Sequence, residues 1–251
     1  MNTVKNIALG LFIICLPLLL LLASISVAAN LQWLYERGFE KYDISATTGL
    51  APEELEKVAA GLIDYWNSDD DLITLTATKD GRPFQVFNER EVAHLRDVKA
   101  LFRLGYRVLA GTFAYALAFA AAALFWWRDR RRLGWGLLGG GALTLVLMLV
   151  LGLLVLFDFE GFFLQFHLLS FANDFWLLDP SRDYLIMLFP EEFWYDVTAY
   201  CAIATAAGAV VLGGIGWWLK KGRASVRRSP APVEDAYRQQ DDTGGQHGDT
   251  E

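Results

Sequence analysis

The sequence describes an all-α membrane protein with four transmembrane helices and both termini in the cytoplasm. Two extracytoplasmic segments join the spans, one with a helix and a short β-hairpin, the other an interfacial aromatic stretch. Composition is the first observation behind this reading: of 251 residues, 54% are hydrophobic and only 20% charged. That balance excludes a disordered or collagen-like chain. The apolar residues are also gathered into four charge-free runs, at 7–29, 108–127, 133–157 and 197–219. A helix needs about 20 residues to cross a bilayer core, and each run supplies that. Thirdly, basic clusters mark one side: Lys5 before the first run, Arg128 and Arg130 to Arg132 between the second and third, and Lys220, Lys221, Arg223, Arg227 and Arg228 after the fourth. Lys and Arg near span ends stay cytoplasmic, which orients the bundle.

Along the chain, residues 1–29 form the first span, read as an uncleaved anchor because its apolar core is too long for a signal peptide. Cys15 is not a lipobox cysteine, since Ile14 stands where a small residue is needed, and Cys201 also lies within a span. Residues 30–107 form an extracytoplasmic insert. Pro52 followed by Glu53 and Glu54 starts a helix to about Trp66, proline suiting the first turn and acids the positive helix end. Asp80-Gly81, between apolar runs at 72–78 and 84–87, permits the positive φ of a tight hairpin. Asn88 with Glu91 three residues on is a capping box that opens a helix running into the second span, 108–127. A basic loop, 128–132, leads to the third span at 133–157.

The second extracytoplasmic segment, 158–196, carries eight carboxylates against one base, Arg182, yet is rich in Phe and Trp. Apolar residues recur at helical spacing near 162–171, which predicts an interfacial helix at headgroup level. The fourth span, 197–219, has small residues about a turn apart, Ala202, Ala206, Ala209, Gly213 and Gly216, which suits close helix packing in lipid. Trp126, Trp127, Trp135, Trp217 and Trp218 form an aromatic belt at the cytoplasmic border. Residues 220–251, rich in Ser, Pro, Asp, Gly and Gln, read as a disordered tail.

Of three histidines, His247 lies in that tail, while His94 and His167 both fall on the outer side beside apolar sequence. Imidazole exchanges protons near neutrality, which makes the pair the candidate acid and base. Glu91 and Asp97 share the helical face of His94, and Asp174 lies two turns beyond His167; each is a candidate to orient an imidazole, with solvated surface charge the plainer reading of Glu91. Ser170, three residues after His167, is a weaker nucleophile candidate, without a nucleophile-elbow glycine. No close His-x-His or His-x-x-x-His spacing supports a metal site among His94, His167, Asp97, Asp174 and Asp179, so no cofactor is expected. There is no Walker loop, dinucleotide glycine pattern or external basic patch, which disfavours nucleotide and nucleic-acid partners. His94 precedes its span by 14 residues, about 20 Å along a straight helix, so meeting a lipid ester requires a bend near Gly105 or a helix lying along the surface. His167 follows the third span by only 10 residues and is placed at ester depth.

Two stretches carry a family resemblance: Glu91-Val92-Ala93-His94-Leu95-Arg96-Asp97-Val98-Lys99, and Phe166-His167-Leu168-Leu169-Ser170-Phe171-Ala172-Asn173-Asp174-Phe175-Trp176, continuing through Leu178-Asp179-Pro180 and Leu188-Phe189-Pro190-Glu191-Glu192-Phe193-Trp194. With the spans between, residues 5–220 resemble the bacterial lipoprotein intramolecular transacylase (Lit) family. The resemblance implies two essential external histidines, matching His94 and His167. It also implies a diacylated lipoprotein substrate in the cytoplasmic membrane, whose sn-2 acyl chain moves to its N-terminal cysteine amine to give a lyso-form lipoprotein.

The chemistry agrees with that implication. An α-amine with a pKa near ~8 must lose a proton before attacking an ester, and a neutral imidazole can take it. Amine and ester share one molecule, so positioning them captures an intramolecular advantage without an acyl-enzyme. By depth, His167 is the principal base and His94 its partner, with Asp97 or Asp174 orienting and Arg96 or backbone N–H groups stabilising the oxyanion. Two other readings use the same residues: a lipid or lipoprotein ester hydrolase in which the histidines activate water, and a non-catalytic membrane accessory protein.

Overall fold

The computed structural model describes residues 2–221; the expected tail from Gly222 lies outside the described residues. Four helices are long and apolar enough to cross a membrane: α1 (Asn2–Asn30), α5 (Glu89–Ala121, with a π-helical turn to Trp126), α6 (Arg130–Phe157) and α9 (Glu191–Lys221). They form the bundle of a multi-pass membrane protein. Between the first two lie α2 (Gln32–Lys41), α3 (Ile44–Thr48), α4 (Pro52–Asn67), β1 (Thr76–Lys79) and β2 (Arg82–Gln85); between the last two lie α7 (Phe159–Ser170) and α8 (Tyr184–Leu188).

The bundle packs through small residues. A Cβ placed on Gly216 would sit 2.7 Å from the Gly134 carbonyl, and one on Gly134 would sit 2.7 Å from the Gly216 carbonyl. Backbone therefore meets backbone where α6 crosses α9, the geometry small residues permit in lipid. The small face expected on α9 finds its partner in the glycines of α6. Ser24 and Thr205 share a hydrogen bond of 3.0 Å between α1 and α9, and Phe12 of α1 stacks on Phe119 of α5 at 4.5 Å. Leu149, Val150, Val210 and Val211 stay exposed, as lipid-facing positions should. Trp126, Trp217 and Trp218 are exposed at the end of the bundle marked by Arg128 to Arg132.

The other end carries a head with its own apolar core. α4 buries Leu55, Val58, Ala59, Leu62, Tyr65 and Trp66, spaced by three and four residues along one face. Pro52 is its first residue, with Glu53 and Glu54 in the first turn. Asp80 (φ 53°) and Gly81 (φ 72°) form the two-residue turn of the hairpin, whose strands pair Thr76 with Gln85 and Lys79 with Arg82. Positive φ at both turn positions matches the strand twist. Leu188, Phe189 and Phe193 from the second connecting segment complete the same core.

Asn88 caps α5 through its side chain, and Glu91 reaches back to the Asn88 N–H at 2.8 Å, closing the expected capping box. Glu91 is not a solvated charge. It is 1% exposed, and its other carboxylate oxygen accepts from Leu185 N–H at 2.6 Å, docking α8 onto α5. Burial raises its pKa while these N–H donors oppose the rise. Asn88 Nδ2 donates to the buried Asp183 at 2.8 Å, giving a second tie between the two connecting segments.

Candidate functional site: a buried histidine pair

Helix α5 continues through Gly105 without a break, and α7 brings His167 to His94. At Asp158 (φ −156°, ψ 79°) the third span ends, and the Asp158 carboxylate accepts from Gly161 N–H at 2.9 Å to open α7. Near the far end of α7 stands His167, its ring centroid 6.0 Å from that of His94 and tilted by 29°. The two imidazoles therefore stand side by side. Leu164, Phe166, Leu168 and Leu169 remain exposed on α7, which extends an apolar surface to this level.

Aromatic rings enclose the pair. Phe163 meets His167 edge-on at 4.4 Å, Phe166 lies 5.4 Å from it and Trp176 lies 5.0 Å from it. Phe171 touches both, at 5.0 Å from His94 and 5.7 Å from His167. His94 is 7% exposed and His167 9%. Burial lowers the pKa of His94 to about 4, with the neighbouring His167 adding to the effect and Asp97 opposing it. His167 is lowered by burial, against the carbonyl of Phe163. Both rings are accordingly neutral at physiological pH.

His167 Nδ1 lies 2.8 Å from the Phe163 carbonyl oxygen. A carbonyl only accepts, so Nδ1 carries the proton in the neutral ring and Nε2 carries the lone pair. His94 Nδ1, in contrast, is buried with no hydrogen-bond partner.

Asp97, a turn beyond His94, accepts from Asn173 Nδ2 at 2.8 Å. Asp174 is exposed, and its backbone carbonyl accepts from Arg90 Nη2. Arg96 is exposed and two positions from His94, about 200° around the helix, so the structure does not bring it to the pair. Ser170 makes no hydrogen bond to either imidazole, and Asp179 bonds Ser181 within its own loop. Among the described residues no three His, Cys, Asp or Glu side chains converge to hold a metal ion. Sequence reasoning missed Arg90 and Asn173. Arg90 was findable, because it precedes His94 by four residues and so shares its helical face; Asn173 becomes a neighbour only through the path of the loop.

A four-span bundle with a folded head and a buried, aromatic-lined imidazole pair defines a multi-pass membrane protein. The model of the family "Lipoprotein intramolecular transacylase Lit" matches residues 10–194, and the chain belongs to that family. An uncharacterized protein of Aquifex aeolicus (strain VF5) is 27% identical over 198 residues, covering 76% of this chain and 87% of that protein. The in meso structure of the membrane integral lipoprotein intramolecular transacylase Lit from Bacillus cereus superposes with a TM-score of 0.76 at 21% identity, covering 87% of this chain and 97% of that one. Two variants of that protein, each with one histidine replaced, superpose with a TM-score of 0.72 at 20% identity; each match covers 87% of this chain, and 92% and 94% of theirs.

Proposed function

We propose that this protein moves the sn-2 acyl chain of a diacylglyceryl lipoprotein onto its N-terminal cysteine amine, by histidine acid–base catalysis on the extracytoplasmic face of a bacterial cytoplasmic membrane. Family membership supports the reaction class. The observation that carries the mechanism is the imidazole pair, 6.0 Å apart, with the tautomer of His167 set by the Phe163 carbonyl. In this reading Nε2 of His167 takes a proton from the α-amine, and the amine attacks the ester carbonyl of the same molecule. The proton then passes to the departing glycerol oxygen. His94, whose pKa burial lowers to about 4, serves as partner and positioner. Asp97 acts through Asn173 and the loop it holds, not through a hydrogen bond to an imidazole. Water competes with the amine for the ester, and the low exposure of both rings favours transfer over hydrolysis. The exposed apolar face of α7 suits acyl chains, while the carboxylate-rich second segment and the basic clusters at the opposite end support the orientation.

The test is incubation of the purified protein in detergent with a diacylated lipopeptide bearing a free cysteine amine, read by tandem mass spectrometry. Transfer leaves the mass unchanged, so the fragment pattern and the loss of amine reactivity are diagnostic. The expected result is an N-acyl isomer, reduced at least ~100-fold in rate by His167→Ala. Loss of one acyl mass identifies a hydrolase, and untouched substrate with folded protein identifies an accessory role.

A further inference from the structure

Arg90 and His94 are four positions apart on α5, which stacks them on one face with about 5–6 Å between Cβ atoms. Each presents a buried polar atom with no hydrogen-bond partner among the described residues, Nε of Arg90 and Nδ1 of His94. The far end of the guanidinium is fixed, because Nη2 donates to the Asp174 carbonyl. The group is planar, so Nε–H is held with it and is not free to turn toward another acceptor. No carboxylate lies within ion-pair distance of Arg90 among the described residues. An imidazole nitrogen can donate or accept, but a guanidinium nitrogen only donates and stays charged at every working pH. What its buried N–H lacks is an oxygen, best a negative one.

We propose that Arg90 stabilises the oxyanion of the transfer reaction, its Nε–H donating to the carbonyl oxygen of the scissile ester as that oxygen gains charge. This rests on the transacylase reading above. The amine lone pair forms the C–N bond and the carbonyl π pair moves to oxygen, where Arg90 meets it. Collapse of that intermediate breaks the bond to the sn-2 glycerol oxygen. The proton taken from the amine ends on that oxygen, leaving an amide and a free hydroxyl with no other reactant. Arg90 takes the role first given to Arg96, because it shares the face of His94 and Arg96 does not. A donor that gains its partner only as charge develops lowers the barrier without tightening substrate binding.

The experiment compares wild type with Arg90→Gln and Arg90→Lys, using the diacylated lipopeptide and two inert analogues. In one analogue the sn-2 ester is replaced by a phosphonate, a tetrahedral anion; in the other it is replaced by an ether. For Arg90→Gln we expect kcat to fall about 100- to 1000-fold with KM near the wild-type value. The phosphonate should lose affinity by a similar factor while the ether binds as before, and Arg90→Lys, which keeps the charge but not the planar donor, should fall between. Equal weakening of both analogues, or an unchanged kcat, overturns the proposal and leaves Arg90 as a strut for the 171–176 segment. Failure of wild type to isomerise the lipopeptide overturns the transacylase reading itself; wild-type turnover matched by both Arg90 variants overturns only the role of Arg90.

Discussion

Nδ1 of His167 has a fixed use for its proton, and the consequence is a base whose active nitrogen is chosen by the backbone. The carbonyl of Phe163, one turn earlier on α7, accepts from it. Protonating Nε2 then turns the ring into a cation among Phe163, Phe166, Phe171 and Trp176, which burial disfavours. The acid limb of a rate profile for acyl transfer should therefore fall below the ordinary imidazole pKa of ~6.5, where an exposed histidine would place it. His94 makes a related prediction for stability. Its folded pKa, about 4, lies below its ordinary value of 6.5, so between those limits the unfolded chain binds more protons. This contribution is whole above about pH 6.5, shrinks as pH falls, and stops changing below about pH 4. Thermal unfolding in detergent should show that decline in wild type and a flatter dependence in His94→Phe. An identical slope in both would remove His94 as its source.

Among the elements, the capping box of α5 has two functions. The Asn88 and Glu91 pattern announces a helix start, and the helix starts at Glu89. The same carboxylate also accepts the Leu185 N–H, so the cap is a joint between segments 94 residues apart. Glu91→Ala leaves that N–H unpaired and removes half the cap, a loss of about 2–4 kcal/mol. Thermal unfolding should register the loss, and limited proteolysis should cut sooner within 176–184. A cut pattern and melting temperature equal to those of wild type would remove the joint from the account. Helix α7 shows the complementary case. Its apolar spacing predicted a helix, and a helix forms, but the sequence could not tell which residue its buried side faces. That follows from the angle set at Asp158.

For the protein as a unit, the proposed orientation rests on charge, which predicts the basic turn at 128–132 in the cytoplasm and the head outside. Ser181, exposed in the second connecting segment, and Arg131, exposed in the basic turn, test this as single cysteines in a chain lacking Cys15 and Cys201. In intact cells a membrane-impermeant maleimide should label Ser181→Cys and spare Arg131→Cys until the cells are opened; the reverse pattern inverts the topology. Segregation of charge, span length, the Pro52 helix start, the Asp80-Gly81 turn and the Asn88 cap were all readable, because each is a local rule with a local cause. His94 and His167 stood out as candidates because few side chains exchange protons near neutrality, and the structure places them together. Two things were not readable: that the imidazoles stand 6.0 Å apart and that Glu91 is a buried joint. Each depends on where α7 and the loop after it come to rest against α5. Sequence alone determined the four spans, α4, the hairpin and the start of α5, not α2, α3 or α8, and it offered the two histidines as candidates. The tertiary structure decided their meeting, because the burial that shifts a pKa and strands an N–H is produced by packing between segments far apart in the chain.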